Sequence, residues 1–169
     1  YPDAETALTI QARGGVTDLP GYREGWWQVQ DASAQGVVPF LEIAPGLSVW
    51  DACAAPGGKT LQIGEMLGGS GSLWVSDPSF RRLSPLRENW ERLHGGPIRI
   101  WAGDALQPPL RPGTLFDRIL LDVPCSGLGV LSRRVDLRYR VREKDIARLA
   151  ETQFRILTEA ARWLRPGGV

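Results

Sequence analysis

The residues of this chain best suited to chemistry fall in two short stretches, Asp51–Thr60 and Asp122–Gly127. The second reads Asp-Val-Pro-Cys-Ser-Gly and sets a carboxylate three residues from the Cys125 thiol, on a loop stiffened by Pro124. Cytosine C5 is too poor a nucleophile to attack a methyl donor unaided. A thiolate adding to C6 activates it, and a carboxyl at the N3/N4 edge of the ring stabilises the adduct. A base then removes the C5 proton, and elimination frees the thiol. Asp122 and Cys125 are the right residue types for that work. The competing reading of Cys125 is a small residue buried in a turn.

The first stretch reads Asp-Ala-Cys-Ala-Ala-Pro-Gly-Gly-Lys-Thr. Its small residues let backbone N–H groups approach a ligand, and a helix starting at its end favours negative charge. The carboxylate of an adenosylmethionine would suit that place. So would a phosphate, because Gly58, Lys59 and Thr60 look like the end of a P-loop. That pattern also needs glycine at position 53, where this chain has Cys53. Lys59 is one of two lysines beside eighteen arginines, which suggests a site that wants a compact ammonium and not a planar fork. A bare tight turn is the plainest alternative.

Two further acids follow apolar runs. Asp77 has the character of a ribose-binding acid in a nucleoside site. Asp104 could accept from an adenine amino group, or could simply cap a turn. The segment from Ser132 to Lys144 carries Arg133, Arg134, Arg138, Arg140, Arg142 and Lys144 around Tyr139, against Asp136 and Glu143. Such a run can follow a phosphate backbone while the ring stacks on a base. Its bland reading is a solvated charged face.

These residues need elements to hold them. Asp31 or Ser33 can cap a helix running to about Ile43. Leu47–Asp51, Ser72–Ser76, Ile98–Ala102 and Phe116–Leu121 read as strands, each followed or ended by an acid. Gly58–Leu67 reads as a helix. Phe80, Leu83, Leu86, Trp90 and Leu93 share a helical face that Pro85 must start or kink. Glu143–Leu164 reads as a long helix with Ile146, Leu149, Ala150, Leu157, Ala161 and Leu164 inward. The alternation predicts an α/β fold with a mostly parallel sheet and helices on both faces. Ligands of such sheets sit beyond the carboxyl ends of the strands, so Asp51, Asp77, Asp104 and Asp122 should converge on one crevice. Residues 1–45 read as a lead-in with one short strand, then the first helix. Residues 46–169 read as the core, cut before its later strands because Pro166, Gly167 and Gly168 form a turn into a single strand-type residue.

Composition narrows the class. The chain has 169 residues, 43% hydrophobic and 23% charged, with a formal net charge of +1. That is one globular domain with no global charge to steer it toward a partner. No apolar run is long enough for a membrane span and no signal segment opens the chain, so a soluble, cytoplasmic protein is expected. Cys53 and Cys125 are too few for a disulfide framework. No metal site is expected.

With these residues in place the sequence resembles the Sun-type (RsmB-like) bacterial RNA 5-methylcytosine methyltransferases, which modify small-subunit ribosomal RNA. The likeness rests on Val29–Gln35, Asp51–Thr60, Phe116–Gly127 and Leu149–Leu157, the second being the most specific. It implies a Rossmann-like S-adenosylmethionine-dependent methyltransferase fold, with ribosomal RNA as partner. It implies that the loop of Cys53, Ala54, Ala55, Pro56, Gly57, Gly58 and Lys59 holds the methionine part of the cofactor. Asp77 is implied for the ribose, Asp104 for the adenine side and Asp122 for the junction of cofactor and base. Cys125 is implied to assist product release, while the nucleophile belongs to a Thr-Cys motif on a following strand, so residues 1–169 alone should be inactive. The chain departs from the family pattern at Val123, often alanine, and at Val135 and Asp136, often His-Pro. A P-loop-like NTPase and a non-catalytic RNA-binding module are the readings from other classes.

Overall fold

A computed structural model describes residues 7–10, 14–130, 135–136, 139 and 141–169. Four strands form one sheet: β1 (Ser48–Asp51), β2 (Ser72–Asp77), β3 (Ile98–Ala102) and β4 (Arg118–Leu120). Their order is β3-β2-β1-β4 and all pairs are parallel, with Trp50 opposite Trp74 on one side and Ile119 on the other. The β1 strand lies at the centre, and Val49, Trp50 and Asp51 are all buried. That is why it reads as an apolar run and not as an alternation.

Helices cover both faces. Val49, Leu73, Val75 and Leu120 pack on one side with Leu61, Ile63 and Leu67 of α2 (Gly58–Leu67) and Leu83, Leu86 and Trp90 of α3 (Phe80–Arg92). On the other side Trp50 and Phe116 meet Ile156 and Ala160 of the last helix, α4 (Glu143–Ala161), with Trp74, Trp101 and Trp163 at the margin. Fully burying one such aliphatic side chain stabilises by about 1.5–3 kcal/mol.

The α2 helix spans the residues its sequence predicts. Gly57 enters it at φ 111° and Gly68 ends it at φ 57°. Several expectations need correction. The helix from Asp31 stops early, as α1 (Ala32–Gln35), and a 3-10 turn covers Val38–Leu41. Pro39 has no N–H to donate back to Gln35, and that carbonyl accepts instead from Gln62 Nε2 at 3.0 Å. The lead-in holds a 3-10 turn at Val16–Asp18, and no strand occurs among its described residues. The α4 helix buries Ile156 and Ala160, while Ile146 and Leu157 of its predicted inner face are exposed. Small Ala160 fits against the bulky Trp50 and Phe116, a packing constraint that periodicity alone does not reveal.

Pro85 sits inside α3, which Ser79 caps through its hydroxyl. The strand predicted at Phe116–Leu121 is shorter because Phe116 pairs with the chain after α4: its N–H donates to Trp163 O at 2.8 Å. Val169 lies beyond β4, with Ile119 N–H donating to its carbonyl at 2.8 Å.

Candidate functional site

The Asp51–Thr60 stretch turns from the end of β1 into the start of α2, and the Asp122–Gly127 stretch leaves β4 beside it. Lys59 Nζ reaches Asp122 Oδ2 at 2.7 Å, so one ion pair ties the two loops together. Between them opens a cleft of about 320 Å³. Asp51, Cys53 to Lys59 and Asp122 line it together with Tyr22, Gln28–Asp31, Pro85, Asn89 and Arg92.

Gly57 makes the turn possible. A Cβ there would lie 2.6 Å from Leu86 Cγ, and its φ is one that side chains disfavour. The preceding Ala55–Pro56 peptide is cis. Ala55 N–H donates to Asp77 Oδ2 at 3.3 Å, and Arg82 Nη2 donates to Ala55 O at 2.8 Å. Asp77, itself buried, also accepts from Ser79 N–H at 3.0 Å and faces Arg82 Nη1 at 3.4 Å. The acid predicted at the end of β2 therefore braces the loop that leaves β1.

Asp51 is the residue that sequence reasoning undervalued. It opens the motif, yet its strand-end position suggested no role of its own beyond the shared crevice. Its carboxyl is 1% exposed and accepts from Thr60 Oγ1 at 2.6 Å. Its other oxygen, Oδ1, is buried without a side-chain or backbone hydrogen bond of good geometry, as is Oε1 of Gln28, another lining residue. Burial pushes the Asp51 pKa up to about 7 and Asp122 adds to the rise, while Thr60, Lys59 and the nearby Cys53 backbone N–H oppose it. Cys53 is half-buried, and burial beside these carboxylates pushes its thiol up to about 12. Cys53 is thus a neutral lining group.

Cys125 is exposed. Its loop is tethered by Gln153 of α4, whose Nε2 donates to Pro124 O at 2.8 Å. The sequence offered Gln153 only as part of a matching stretch. Asp104 is an exposed turn acid whose Oδ1 accepts from Leu106 N–H at 2.9 Å, and its charge acts on Cys53 together with those of Asp51, Asp77 and Asp122. Tyr139 is exposed and Arg142 starts α4, while Arg133, Arg134, Arg138 and Arg140 lie outside the described residues. Among the described residues no group of three or more His, Cys, Asp or Glu could hold a metal, and no helix is long and apolar enough to cross a membrane.

A parallel sheet with helices on both faces, and a glycine-bearing turn at the end of its central strand, defines the class: a methyltransferase domain of Rossmann-like fold. The comparisons specify it further. Residues 38–169 match the family described as 16S rRNA methyltransferase RsmB/F, and the chain belongs to that family. It is 47% identical over 156 residues to a probable ribosomal RNA small subunit methyltransferase B of a Synechocystis strain, covering 92% of this chain and 35% of that protein. It is 43% identical over 169 residues to ribosomal RNA small subunit methyltransferase B of Salmonella newport, covering 99% and 39%. The chain thus spans little more than a third of the length of these relatives. Among solved structures it is similar to PH0851, at TM-score 0.87 and 30% identity over 94% of this chain and 36% of that one. It is also similar to NSun6 from Pyrococcus horikoshii with SFG, at TM-score 0.82 and 32% identity over 92% and 39%. Family membership leaves the NTPase and the non-catalytic binding module without support.

Proposed function

We propose that this chain is the cofactor-binding core of an enzyme that methylates C5 of a cytidine in small-subunit ribosomal RNA. The observation that carries the reading is the cleft joined by Lys59 and Asp122, because it unites the two loops that the chemistry needs. S-adenosylmethionine supplies the methyl group. The site fits its amino-acid end. Gly57 leaves a cradle that a Cβ would fill. Asp51 Oδ1 is a buried acceptor that a ligand ammonium would satisfy and ionise. An SFG complex of a neighbour in the same fold, SFG being an adenosylmethionine analogue, supports the assignment.

In this reading Cys53, Ala54, Ala55, Pro56, Gly57, Gly58 and Lys59 hold the methionine part. Asp77 takes the ribose with lone pairs not used by Ala55 and Ser79. Asp104 faces the adenine. Asp122, oriented by Lys59, meets the cofactor and the target base together. Cys125 is exposed where a flipped cytidine would arrive and assists release of the product. Residues 1–169 contain no Thr-Cys pair, so the nucleophile that adds to C6 comes from outside them. Tyr139, Arg142 and the other arginines of that run contact the RNA. The enzyme acts in the cytoplasm.

Calorimetric titration with S-adenosylhomocysteine, with ATP–magnesium as control, tests the cofactor site. Homocysteine-nucleoside binding without ATP binding is expected, and the reverse pattern would sink the assignment. Residues 1–169 incubated with cofactor and ribosomal RNA should form no 5-methylcytosine, whereas the intact protein should.

A further inference from the structure

Part of the cleft's lining comes from the lead-in, a segment that precedes the family match at residue 38 and meets the glycine turn through Gln28 and Gln30. It is held there by specific contacts. Arg92 near the end of α3 donates through Nη1 to Tyr22 O and, at 3.1 Å, to Trp27 O. Its guanidinium lies 4.0 Å from the centre of the Tyr22 ring, and Asn89 Oδ1 accepts from Nε and Nη2 at 3.2 and 3.0 Å. A planar fork can serve all these partners at once, which an ammonium cannot. Gly25 presses on the same turn so closely that a Cβ would fall 1.9 Å from Arg92 O. Further along, Gln30 Nε2 donates to Gln62 Oε1 of α2 at 3.3 Å. Residues 22–31 are therefore a strap clamped onto both helices that flank the cleft.

The strap carries an unspent acceptor. Gln28 Nε2 points to Gly58 O at 3.5 Å, which turns Oε1 the other way, and that oxygen is buried without a partner. Among the described residues three buried side-chain polar atoms lack partners, and two of them, Gln28 Oε1 and Asp51 Oδ1, belong to residues that line this cleft. Both are acceptors, so the missing partner is a donor. Buried polar groups are almost always paired, and a cationic N–H donor satisfies two acceptors best.

We propose that the strap is part of the cofactor site, with Gln28 accepting a hydrogen bond from the ammonium of the cofactor's amino-acid end and Arg92 acting as the positioning residue that holds the strap in place. This rests on the cofactor reading above and adds residues that lie outside the glycine turn. The test is calorimetry on the intact protein with two ligands, S-adenosylhomocysteine and 5′-methylthioadenosine, which lacks the amino-acid end. Gln28→Leu should weaken S-adenosylhomocysteine about tenfold and leave 5′-methylthioadenosine unchanged. Arg92→Ala should weaken the first ligand selectively too, with Arg92→Lys recovering part of the loss. An unchanged S-adenosylhomocysteine affinity in Gln28→Leu overturns the proposal. So does an equal loss for both ligands, which would make the strap merely structural. Wild-type protein that binds neither ligand would overturn the cofactor reading itself, and the strap's role with it.

Discussion

The two cysteine-bearing loops leave neighbouring strands, β1 and β4, and end in opposite environments. The loop of Cys53 is enclosed: it is braced by Asp77 and Arg82, packed through Gly57 onto Leu86, and walled by the strap. The loop of Cys125 is open, and Gln153 reaches it from α4 with a single side-chain hydrogen bond to Pro124 O. In the proposed reading the same residue type is thereby given two jobs. A closed, pre-formed pocket suits a small ligand with a fixed shape. An exposed loop suits a macromolecular substrate that must bring a base to it and leave again.

The comparison breaks most sharply at Gly57. Gly57→Val would place a β-branched side chain at φ 111° and against Leu86. The expected cost is on the order of 4 kcal/mol, read as a melting temperature lower by about 10 °C. Labelling of Cys125 in protein that remains folded should not change. If the variant melts like wild type, the closed loop is not rigid and the contrast fails.

Asp51 supplies the next largest effect. Its pKa rises from 3.8 to about 7 on folding, so the native state keeps a proton that the unfolded chain gives up. Stability should then fall as pH climbs from about 4 to about 7, by up to about 4 kcal/mol in all, and level off above. Asp51→Asn should flatten that slope in denaturant titrations at several pH values. Asp122, Lys59 and Thr60 act on the same carboxyl, so the variant is compared with wild type at each pH and not with a reference acid. A bound ammonium favours the ionised form, so S-adenosylhomocysteine should bind more tightly as pH rises through about 7, with release of a proton. Affinity independent of pH in wild type would remove Asp51 from the site.

How much of this was legible in the sequence depends on what fixed each feature. Local signals carried the α2 helix, whose start and end are set by Gly57 and Gly68, and the apolar runs of the strands. The glycine turn and the Asp122 loop could be read because small residues, Pro and acids cluster there. What was missed depends on distant partners. Asp51 looks like any strand-end acid until burial and Thr60 are seen. Gln28 and Arg92 are ordinary residues 64 positions apart, and only the fold joins them through the backbone of Tyr22 and Trp27. The α4 face failed for a related reason: the choice between Ile156 and Leu157 is made by the aromatic surface beneath it.

The thiols offer a direct measure of the contrast. With its pKa pushed to about 12, Cys53 should carry roughly a thousandfold less thiolate than an ordinary cysteine near neutral pH. Iodoacetamide followed by peptide mass mapping should therefore find Cys125 modified and Cys53 spared. Comparable labelling of both would mean that the first loop opens readily. The smallest effect is expected at Gln153. Its hydrogen bond to Pro124 lies at an exposed site, so Gln153→Ala should cost only about 0.5–1 kcal/mol. Its consequence should be local: faster alkylation of Cys125, no change in S-adenosylhomocysteine affinity, and in the intact enzyme a slower turnover with unchanged cofactor KM. If the same substitution weakened cofactor binding, the coupling that Lys59 and Asp122 provide would extend as far as Cys125, and the division between a ligand pocket and an open substrate loop would have to be abandoned.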